Sequence, residues 1–181
     1  MSNILVTGSN GQLGSEIKVL EQTCPDYKFY FTGSKELDIT NHASVESFIK
    51  ESNISIIINC AAHTAVDKAE SDVELSTKLN HLAVENFAKI AKANNIKLIH
   101  ISTDYVFDGN NSEPYKESDQ VNPIGVYGKT KRAGELAVIV IIPSIVLQSV
   151  GSCAFTFVII GSDVPTIVTI CPYAVQPLNK S

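Results

Sequence analysis

The segment ILVTGSNGQLG, residues 4–14, indicates the fold class because it joins an apolar run to a glycine-rich turn. Ile4 to Val6 reads as a first strand, and three glycines follow at regular spacing before a predicted helix. In that context the glycines allow a tight turn, close approach of backbone to a pyrophosphate, and close packing of helix on sheet. The alternative is an ordinary turn that begins a helix. The predicted cofactor contacts in this segment are Gly8, Asn10, Gly11, Gln12, Leu13 and Gly14.

Beyond this turn, short apolar runs alternate with longer segments of helical spacing. Strands are predicted at residues 28–32, 54–58 and 96–101, and Thr40 or Asn41 can cap the helix between the first two. A long helix precedes the last strand, and one apolar face is predicted for it. The residues of that face are Leu75, Leu79, Leu82, Ala83 and Ile90. Strands that alternate with helices imply a parallel sheet covered on both sides, so we predict a doubly wound α/β fold of the Rossmann type.

The composition changes abruptly near the end of the chain. Residues 138–181 carry only two charged side chains, and residues 138–160 carry none. The uncharged run is long enough for a membrane span, but proline, glycine, serine and threonine interrupt it and its β-branched bias favours strands. We therefore expect a dinucleotide-binding domain at 1–137, then an anomalous apolar tail at 138–181 that contributes a strand near 144–147. A membrane partner is not expected.

The overall composition excludes several classes of function. The chain has 181 residues, of which 44% are hydrophobic and 18% charged, which is enough for one well-packed domain. A net charge of -5 argues against nucleic acid as a partner, because nucleic acids bind clustered basic surfaces. The four cysteines show no metal-ligand spacing, so we predict no metal site. Reduced thiols and the absence of an export signal favour a cytoplasmic protein.

Two loops that follow predicted strands add candidate cofactor contacts. No acid occurs at residues 32–35, where an NAD site usually places a carboxylate, so Ser34 and Lys35 could instead hold a 2'-phosphate. The alternative is that Lys35 is a solvated loop cation, and the predicted cofactor is NADPH or NADH. Small side chains after the strand at 54–58 leave space for a ligand. His63 in this loop has the alternative of a hydrogen-bonded surface group. The predicted contacts from both loops are Asp38, Ile39, Ala61, Ala62 and His63.

Tyr127 and Lys131 lie four residues apart on a predicted helix, which places a phenol and an ammonium on one face. A phenol with an ordinary pKa near ~10 is a poor acid-base group at neutral pH until a nearby cation favours its ionised form. Lys131 could supply that field and reach the ribose of the cofactor. Thr103, at the end of the strand at 96–101, could hydrogen-bond the phenol or a reacting carbonyl oxygen. These three are the predicted catalytic residues; the alternatives are a core tyrosine, a solvated lysine and a strand-end threonine.

Longer motifs surround these residues: NCAAHTAVDKAE at 59–70, STDYVFDG at 102–109 and YGKTK at 127–131. With Pro114-Tyr115 and Asn122-Pro123, they resemble the extended short-chain dehydrogenase/reductase family. Within that family the combination is most similar to the dTDP-4-dehydrorhamnose reductases. The resemblance covers residues 3 to about 138.

The resemblance implies reduction of the 4-keto group of dTDP-6-deoxy-L-lyxo-4-hexulose to dTDP-L-rhamnose. Tyr127 would protonate the oxygen while NADPH or NADH delivers a hydride to the carbon. Asp104 and Tyr105 would lie against the dTDP-sugar. Asn80 matches an asparagine of a proton relay, with a polar residue on a helix surface as the alternative. The intact family also leaves open a homodimer.

The end of the chain departs from the family pattern. A tryptophan that would pack on the sugar is expected after the strand near 144–147, but residues 148–151 read QSVG. We therefore expect a truncated or frame-shifted product that lacks most of the C-terminal substrate domain, with a divergent functional tail as the alternative. A non-catalytic dinucleotide-binding subunit and an inactive fragment also stay open.

Overall fold

The computed structural model describes residues 1–111, 115, 119–142, 145–148 and 157–160, the last two ranges as backbone strands. Most of the predicted apolar tail lies outside these residues. The strands are β1 (Ser2–Thr7), β2 (Tyr27–Thr32), β3 (Ile54–Asn59), β4 (Lys97–Ile101), β5 (Ile145–Gln148) and β6 (Phe157–Ile160). The α-helices are α1 (Gln12–Leu20), α2 (His42–Glu51), α3 (Val66–Ser71), α4 (Val73–Thr77), α5 (Ala83–Asn94) and α6 (Val126–Ile141). Short 3-10 turns occupy Glu21–Thr23 and Asp104–Val106, and a π-helical turn at Lys78–Leu82 joins α4 to α5.

The strands form one sheet in the order β2-β1-β3-β4-β6-β5. The first four are parallel, as the alternation of strands and helices predicts, and the Rossmann-type α/β fold is confirmed. The strand predicted near 144–147 is present as β5, but it does not pair with β4. Instead β6 lies between them and is antiparallel to both. The parallel pattern did not predict this extension, because β6 comes from the tail, which has no recognisable strand–helix alternation.

The core lies on both faces of the sheet because successive strand residues point to opposite sides. Leu5 belongs to the larger cluster, where it packs with Phe87 of α5 and other buried residues of α2 and α6. Ile4 and Val6, on the other face of β1, pack with Ile17 of α1. Helices therefore cover both faces, which is what a doubly wound sheet requires.

Helix α6 crosses the predicted change in composition. Val138 is fully buried in the larger core cluster, and the helix continues to Ile141. The boundary between 1–137 and 138–181 thus falls inside a helix, and the division into two segments stays a prediction. Within the described ranges, no helix is long and apolar enough to cross a membrane.

The long helix before β4 is interrupted by its π-helical turn. Leu75 and Leu82 are 39% and 45% exposed, whereas Ser76 and Asn80 are fully buried. A π turn contains one more residue than an α turn, so it shifts the phase of the residues that face the core. The prediction of a single apolar face is therefore wrong for Leu75 and Leu82, and two polar side chains are buried instead.

Candidate active site

A cavity of about 620 Å³ opens at the carboxyl ends of the parallel strands. In the sheet β1 has β2 on one side and β3 on the other, so the strand order reverses at β1. The cavity lies at this point, which is the usual position for a ligand in such sheets. Its volume is in the range of small-molecule sites. The predicted site residues that line it are Gly8, Asn10, Gly11, Gln12, Leu13, Gly14, Asp38, Ile39, Ala61, Ala62, Tyr127 and Lys131.

The glycine turn closes one end of the cavity. Gly8 has φ +65°, and a Cβ added there would lie 2.6 Å from the backbone nitrogen of Ala61. Gly11 precedes the first turn of α1, which has neither a side-chain cap nor an acidic residue. The free N–H groups and positive dipole of a helix start suit a phosphate. The geometry therefore fits the diphosphate of a dinucleotide.

The loop after β2 forms the adjoining wall. Ser34 lines the cavity, whereas Lys35 does not. The Glu36 carboxylate, which the sequence places beyond the usual acidic position, folds back to accept the Gly33 N–H at 2.8 Å. Asp38 accepts hydrogen bonds from the backbone N–H and hydroxyl of Thr40 at 2.9 and 2.8 Å. This wall combines a lining hydroxyl with a nearby carboxylate, which leaves both NADPH and NADH as candidates.

Helix α6 is fixed at its start by two contacts from distant parts of the chain. Glu70 of α3 accepts the Val126 N–H at 2.7 Å and so caps the helix. A Cβ on Gly128 would lie 2.1 Å from the carbonyl oxygen of Tyr105, so only glycine allows this approach. These contacts place Tyr127 in the first turn of α6 and Lys131 in the second. The sequence gave no signal for the role of Glu70, because 56 residues separate it from Val126.

The Tyr127 phenol lies at the other end of the cavity and is 8% exposed. Its ring meets that of Tyr105 edge to face, with centroids 5.4 Å apart. Burial raises the pKa of the phenol, a hydrogen bond with Thr103 lowers it, and the negative charge of Asp104 raises it further. The predicted net lowering of this pKa is therefore wrong, because Lys131 is not among the groups that shift it. The phenol keeps its proton at neutral pH.

Lys131 is 2% exposed and directed toward β4. Its Nζ donates to the carbonyl oxygen of Ile101 and lies 3.4 Å from Nε2 of His100. Burial lowers the pKa of Lys131 to about 8, against the opposing charge of Glu135. These contacts hold the lysine nitrogen against β4, in the wall of the cavity that Lys131 lines.

Glu135 is itself a buried and fully paired carboxylate. It is 4% exposed, accepts a hydrogen bond from the Ser102 hydroxyl, and pairs with Arg132 at 2.7 Å. Because it is held by these two partners, it is part of the framework that joins α6 to the end of β4. Its negative charge still favours the ammonium form of Lys131.

Thr103, Asp104 and Tyr105 lie beside the phenol, outside the residues that line the cavity. The Thr103 hydroxyl donates to the Asp104 carboxylate at 3.1 Å and accepts the Tyr105 N–H at 3.3 Å, which caps the 3-10 turn. Tyr105 is 51% exposed. An exposed aromatic ring and a carboxylate next to the phenol suit contact with a sugar, and their roles stay predictions.

His63 and Asn80 are bound to each other. Asn80 accepts the His63 N–H at 2.8 Å and donates to the His63 carbonyl at 3.1 Å and to the Thr130 hydroxyl at 3.2 Å. The surface alternative for Asn80 is therefore wrong, while a role in a proton relay stays a prediction. The His63 ring turns to the hydroxyl of Ser76, 2.8 Å from Nδ1, and does not line the cavity.

Sequence reasoning missed a row of buried polar side chains, of which Asn59 lines the cavity. Asn59 and His100 are 1% and 0% exposed, and each follows apolar neighbours in its strand. A polar residue inside an otherwise apolar strand of a buried sheet is a detectable signal, because buried polar groups require partners. Here those partners lead to Lys131.

The chain matches the family described as RmlD substrate binding domain over residues 1–149. It is 41% identical over 150 residues to the dTDP-4-dehydrorhamnose reductase of Aggregatibacter actinomycetemcomitans, an alignment that covers 82% of this chain and 51% of that protein. It is 42% identical to the reductase of the same name from Salmonella typhimurium, over 75% of this chain and 46% of that protein. The chain thus spans about half the length of the curated relatives it matches.

Solved structures show the same relation. The dTDP-4-dehydrorhamnose reductase of Clostridium acetobutylicum superposes with a TM-score of 0.74 at 45% identity, over 78% of this chain and 50% of that one. The reductase of the same name from Bacillus anthracis, solved in complex with NADP, has a TM-score of 0.74 at 39% identity, with the same coverage. The Rossmann-type half of these enzymes is therefore the part that this chain shares.

Proposed function

The chain belongs to the RmlD substrate binding domain family, and we propose that it forms the dinucleotide-binding and proton-donating half of a dTDP-4-dehydrorhamnose reductase. The observation that carries the proposal is a single cavity with a glycine turn at one end and the Tyr127 phenol at the other. The proposed cofactor is NADPH or NADH, and the proposed substrate is dTDP-4-dehydro-L-rhamnose. A cytoplasmic location and a homodimer are part of the same proposal.

When bound, NADPH or NADH supplies a hydride to the carbonyl carbon. The glycine turn and the start of α1 bind the diphosphate through backbone N–H groups. Tyr127 donates its proton to the carbonyl oxygen, which it can do because its raised pKa keeps the phenol protonated. Thr103 orients the phenol, Lys131 holds the ribose, and Asp104 and Tyr105 contact the sugar.

The proposal is tested by NADPH oxidation in the presence of dTDP-4-dehydro-L-rhamnose. We expect Tyr127→Phe to lower turnover about 100- to 10,000-fold, because the proton donor is removed, while NADPH affinity stays within a factor of two. Tyr30→Phe is the control, since Tyr30 packs on Phe48 away from the cavity. Equal turnover of the two variants would show that the phenol is not the proton donor, and failure of the chain to bind NADPH would reject the proposal.

A second candidate is a dinucleotide-binding subunit without turnover. The cavity lining favours it, because the predicted sugar contacts Asp104 and Tyr105 do not belong to that lining. NADPH at 100 times its dissociation constant should then stabilise the fold by about 2.7 kcal/mol, since it binds only the folded state. Stabilisation without NADPH oxidation in the presence of substrate would select this candidate over the reductase.

A further inference from the structure

Four polar side chains form a buried row of which Asn59 and Lys131 line the cavity, and the proposed reaction uses only Lys131. Thr7, Asn59 and His100 come from the adjacent strands β1, β3 and β4, and Lys131 comes from α6. Their exposed fractions are 0%, 1%, 0% and 2%. Buried polar groups are costly unless each hydrogen bond is made, so the direction of every bond in this row can be worked out.

The orientation of the Asn59 amide is fixed by a backbone donor. The Ala61 N–H donates to Asn59 Oδ1 at 3.1 Å, and the Thr7 hydroxyl donates to the same oxygen at 2.7 Å. A backbone N–H can only donate, so the atom that faces it must be the amide oxygen. The Asn59 nitrogen Nδ2 therefore faces Nδ1 of His100, at 3.1 Å. Because Nδ2 also can only donate, Nδ1 of His100 is an acceptor.

The position of the imidazole proton follows. Burial is the larger cause that holds the pKa of His100 well below its ordinary value, and a charged Lys131 would lower it further, so the ring is neutral and carries one proton. With Nδ1 accepting, that proton is on Nε2. Nε2 lies 3.4 Å from Nζ of Lys131. An ammonium has no acceptor, so a charged Lys131 would bring two donors together, whereas a neutral amine can accept the Nε2–H.

We propose that His100 is a positioning residue for Lys131: held in its Nε2–H tautomer by Asn59, it offers the lysine nitrogen a hydrogen-bond donor and thereby favours the uncharged amine. The Ile101 carbonyl accepts one N–H of that amine and fixes its direction. The inference rests on the proposed function only for the use of Lys131 at the cofactor ribose, and it assigns control of that lysine's charge to the row behind it.

The other groups that face Lys131 also affect the balance between its ammonium and amine forms. Glu135 on the next turn of α6 favours the ammonium. The Cys60 thiol, at the end of β3, stays neutral because burial raises its pKa to about 12. The phenol of Tyr127, one turn earlier, is also neutral at working pH. Burial and the His100 donor therefore favour the uncharged amine of Lys131, whereas the Glu135 carboxylate favours its ammonium form. As a result, Lys131 changes charge close to neutral pH.

The first test is the tautomer of His100, read from long-range ¹H–¹⁵N correlations of the imidazole rings in the full chain. We expect His100 to stay neutral with its proton on Nε2 between about pH 6 and pH 9. His63 is the internal control. Its Nδ1 faces the Ser76 hydroxyl, which already donates its proton to the Asp72 backbone carbonyl, so the neutral form of the His63 ring must carry its proton on Nδ1. A proton on Nδ1 of His100, or an imidazolium there, overturns the proposal.

The second test is the titration of the Lys131 ¹³Cε resonance, with a midpoint near about 8 expected in the natural sequence. His100→Phe removes the donor that opposes the ammonium, so the midpoint should rise by about one pH unit. His81→Phe is the control, because His81 lies on the π-helical turn and pairs with Glu85. A midpoint that does not move in His100→Phe overturns the proposal.

If His100→Phe does not fold, Asn59→Asp gives the same decision. A carboxylate can only accept hydrogen bonds, so the carboxylate oxygen that replaces the amide nitrogen would require the imidazole proton on Nδ1. Nε2 of His100 would then face the lysine without a proton. An unchanged tautomer in that variant overturns the proposal. NADPH binding is measured separately. If the tautomer and the titration are as expected but the chain does not bind NADPH, only the proposed function is rejected. If the chain binds NADPH but the tautomer or the titration differs from expectation, only the proposed role of His100 is rejected.

Discussion

The two ends of the cavity present different kinds of functional group. At the glycine turn, the functional groups are backbone N–H groups of adjacent residues, and the geometry is set by Gly8 and Gly11. At the α6 end, they are side chains brought together from distant strands and helices, among them Tyr127, Lys131 and His100. Backbone donors have one charge state, but a buried side chain takes the charge that its neighbours allow. One end therefore depends on local conformation and the other on the surrounding protein.

The largest expected effect is at the backbone end. Gly8→Ala introduces a Cβ at a positive φ and 2.6 Å from the Ala61 backbone, so the free energy of unfolding should fall by about 3 kcal/mol or more. Gly109→Ala is the matched control, because Gly109 has φ +76° with no atom near the added Cβ, and should lose only about 1 kcal/mol. Urea unfolding of both variants measures the difference. Equal losses would mean that close approach adds nothing at Gly8.

The next effect is at the side-chain end, where Asn80→Ala leaves the His63 backbone and the Thr130 hydroxyl without their partner. Because the bond to Thr130 is buried and the two bonds to His63 are partly buried, the free energy of unfolding should fall by about 2 to 3 kcal/mol. Asn94→Ala, which removes one partly buried bond to the Ile90 carbonyl in the same run of helix, is the control. A loss no greater than the control's would contradict a structural role for the π-helical turn.

The charge of Lys131 should appear in the pH dependence of stability. Its pKa is lowered to about 8 in the folded protein from 10.5. Below pH about 8 the folded and the unfolded protein both hold the proton on Lys131, so the folded protein bears the full cost of burying the ammonium. Between the two values the unfolded state binds more protons, so stability rises with pH.

Relative to Lys131→Met, the natural sequence should therefore gain on the order of 2 kcal/mol as pH rises from about 8 to 10.5. Tyr127 is present in both proteins, so its own titration cancels. Lys129→Met, at an exposed position of the same helix, keeps Lys131 and should therefore show the same rise in stability with pH as the natural sequence. Thermal or urea unfolding across the pH range measures the gap, and a gap that falls with pH would show that Lys131 is buried as a stable ammonium.

The smallest effect concerns the cap that joins α3 to α6. Glu70→Ala removes the acceptor for the Val126 N–H and should lower the free energy of unfolding by about 1 kcal/mol. Glu74→Ala is the control, because Glu74 is 81% exposed and forms only a surface pair with Lys78. If the two variants lose the same stability, the cap does not hold the side-chain end of the cavity in place.

Sequence reasoning succeeded where structure is local. The glycine turn, the parallel strands and the pairing of Tyr127 with Lys131 on one helix all follow from spacing within a few residues. It did not predict the Glu70 cap or the link from Asn59 to His100, because those contacts join residues that are far apart in the chain. The direction of the Tyr127 pKa was wrong for the same reason, since spacing places the lysine on the correct face but does not show that Ile101 binds its nitrogen.

The π-helical turn at Lys78–Leu82 also limits how the length of this chain can vary. It contains one residue more than a regular turn, and each residue of an α-helix rotates the following ones by about 100°. Deleting one residue there would regularise the helix and turn Asn80 away from the His63 loop and α6. A single deletion in this helix should therefore be less well tolerated than one in the loop around Gly109, where an added Cβ would meet no atom of the described residues within 4 Å.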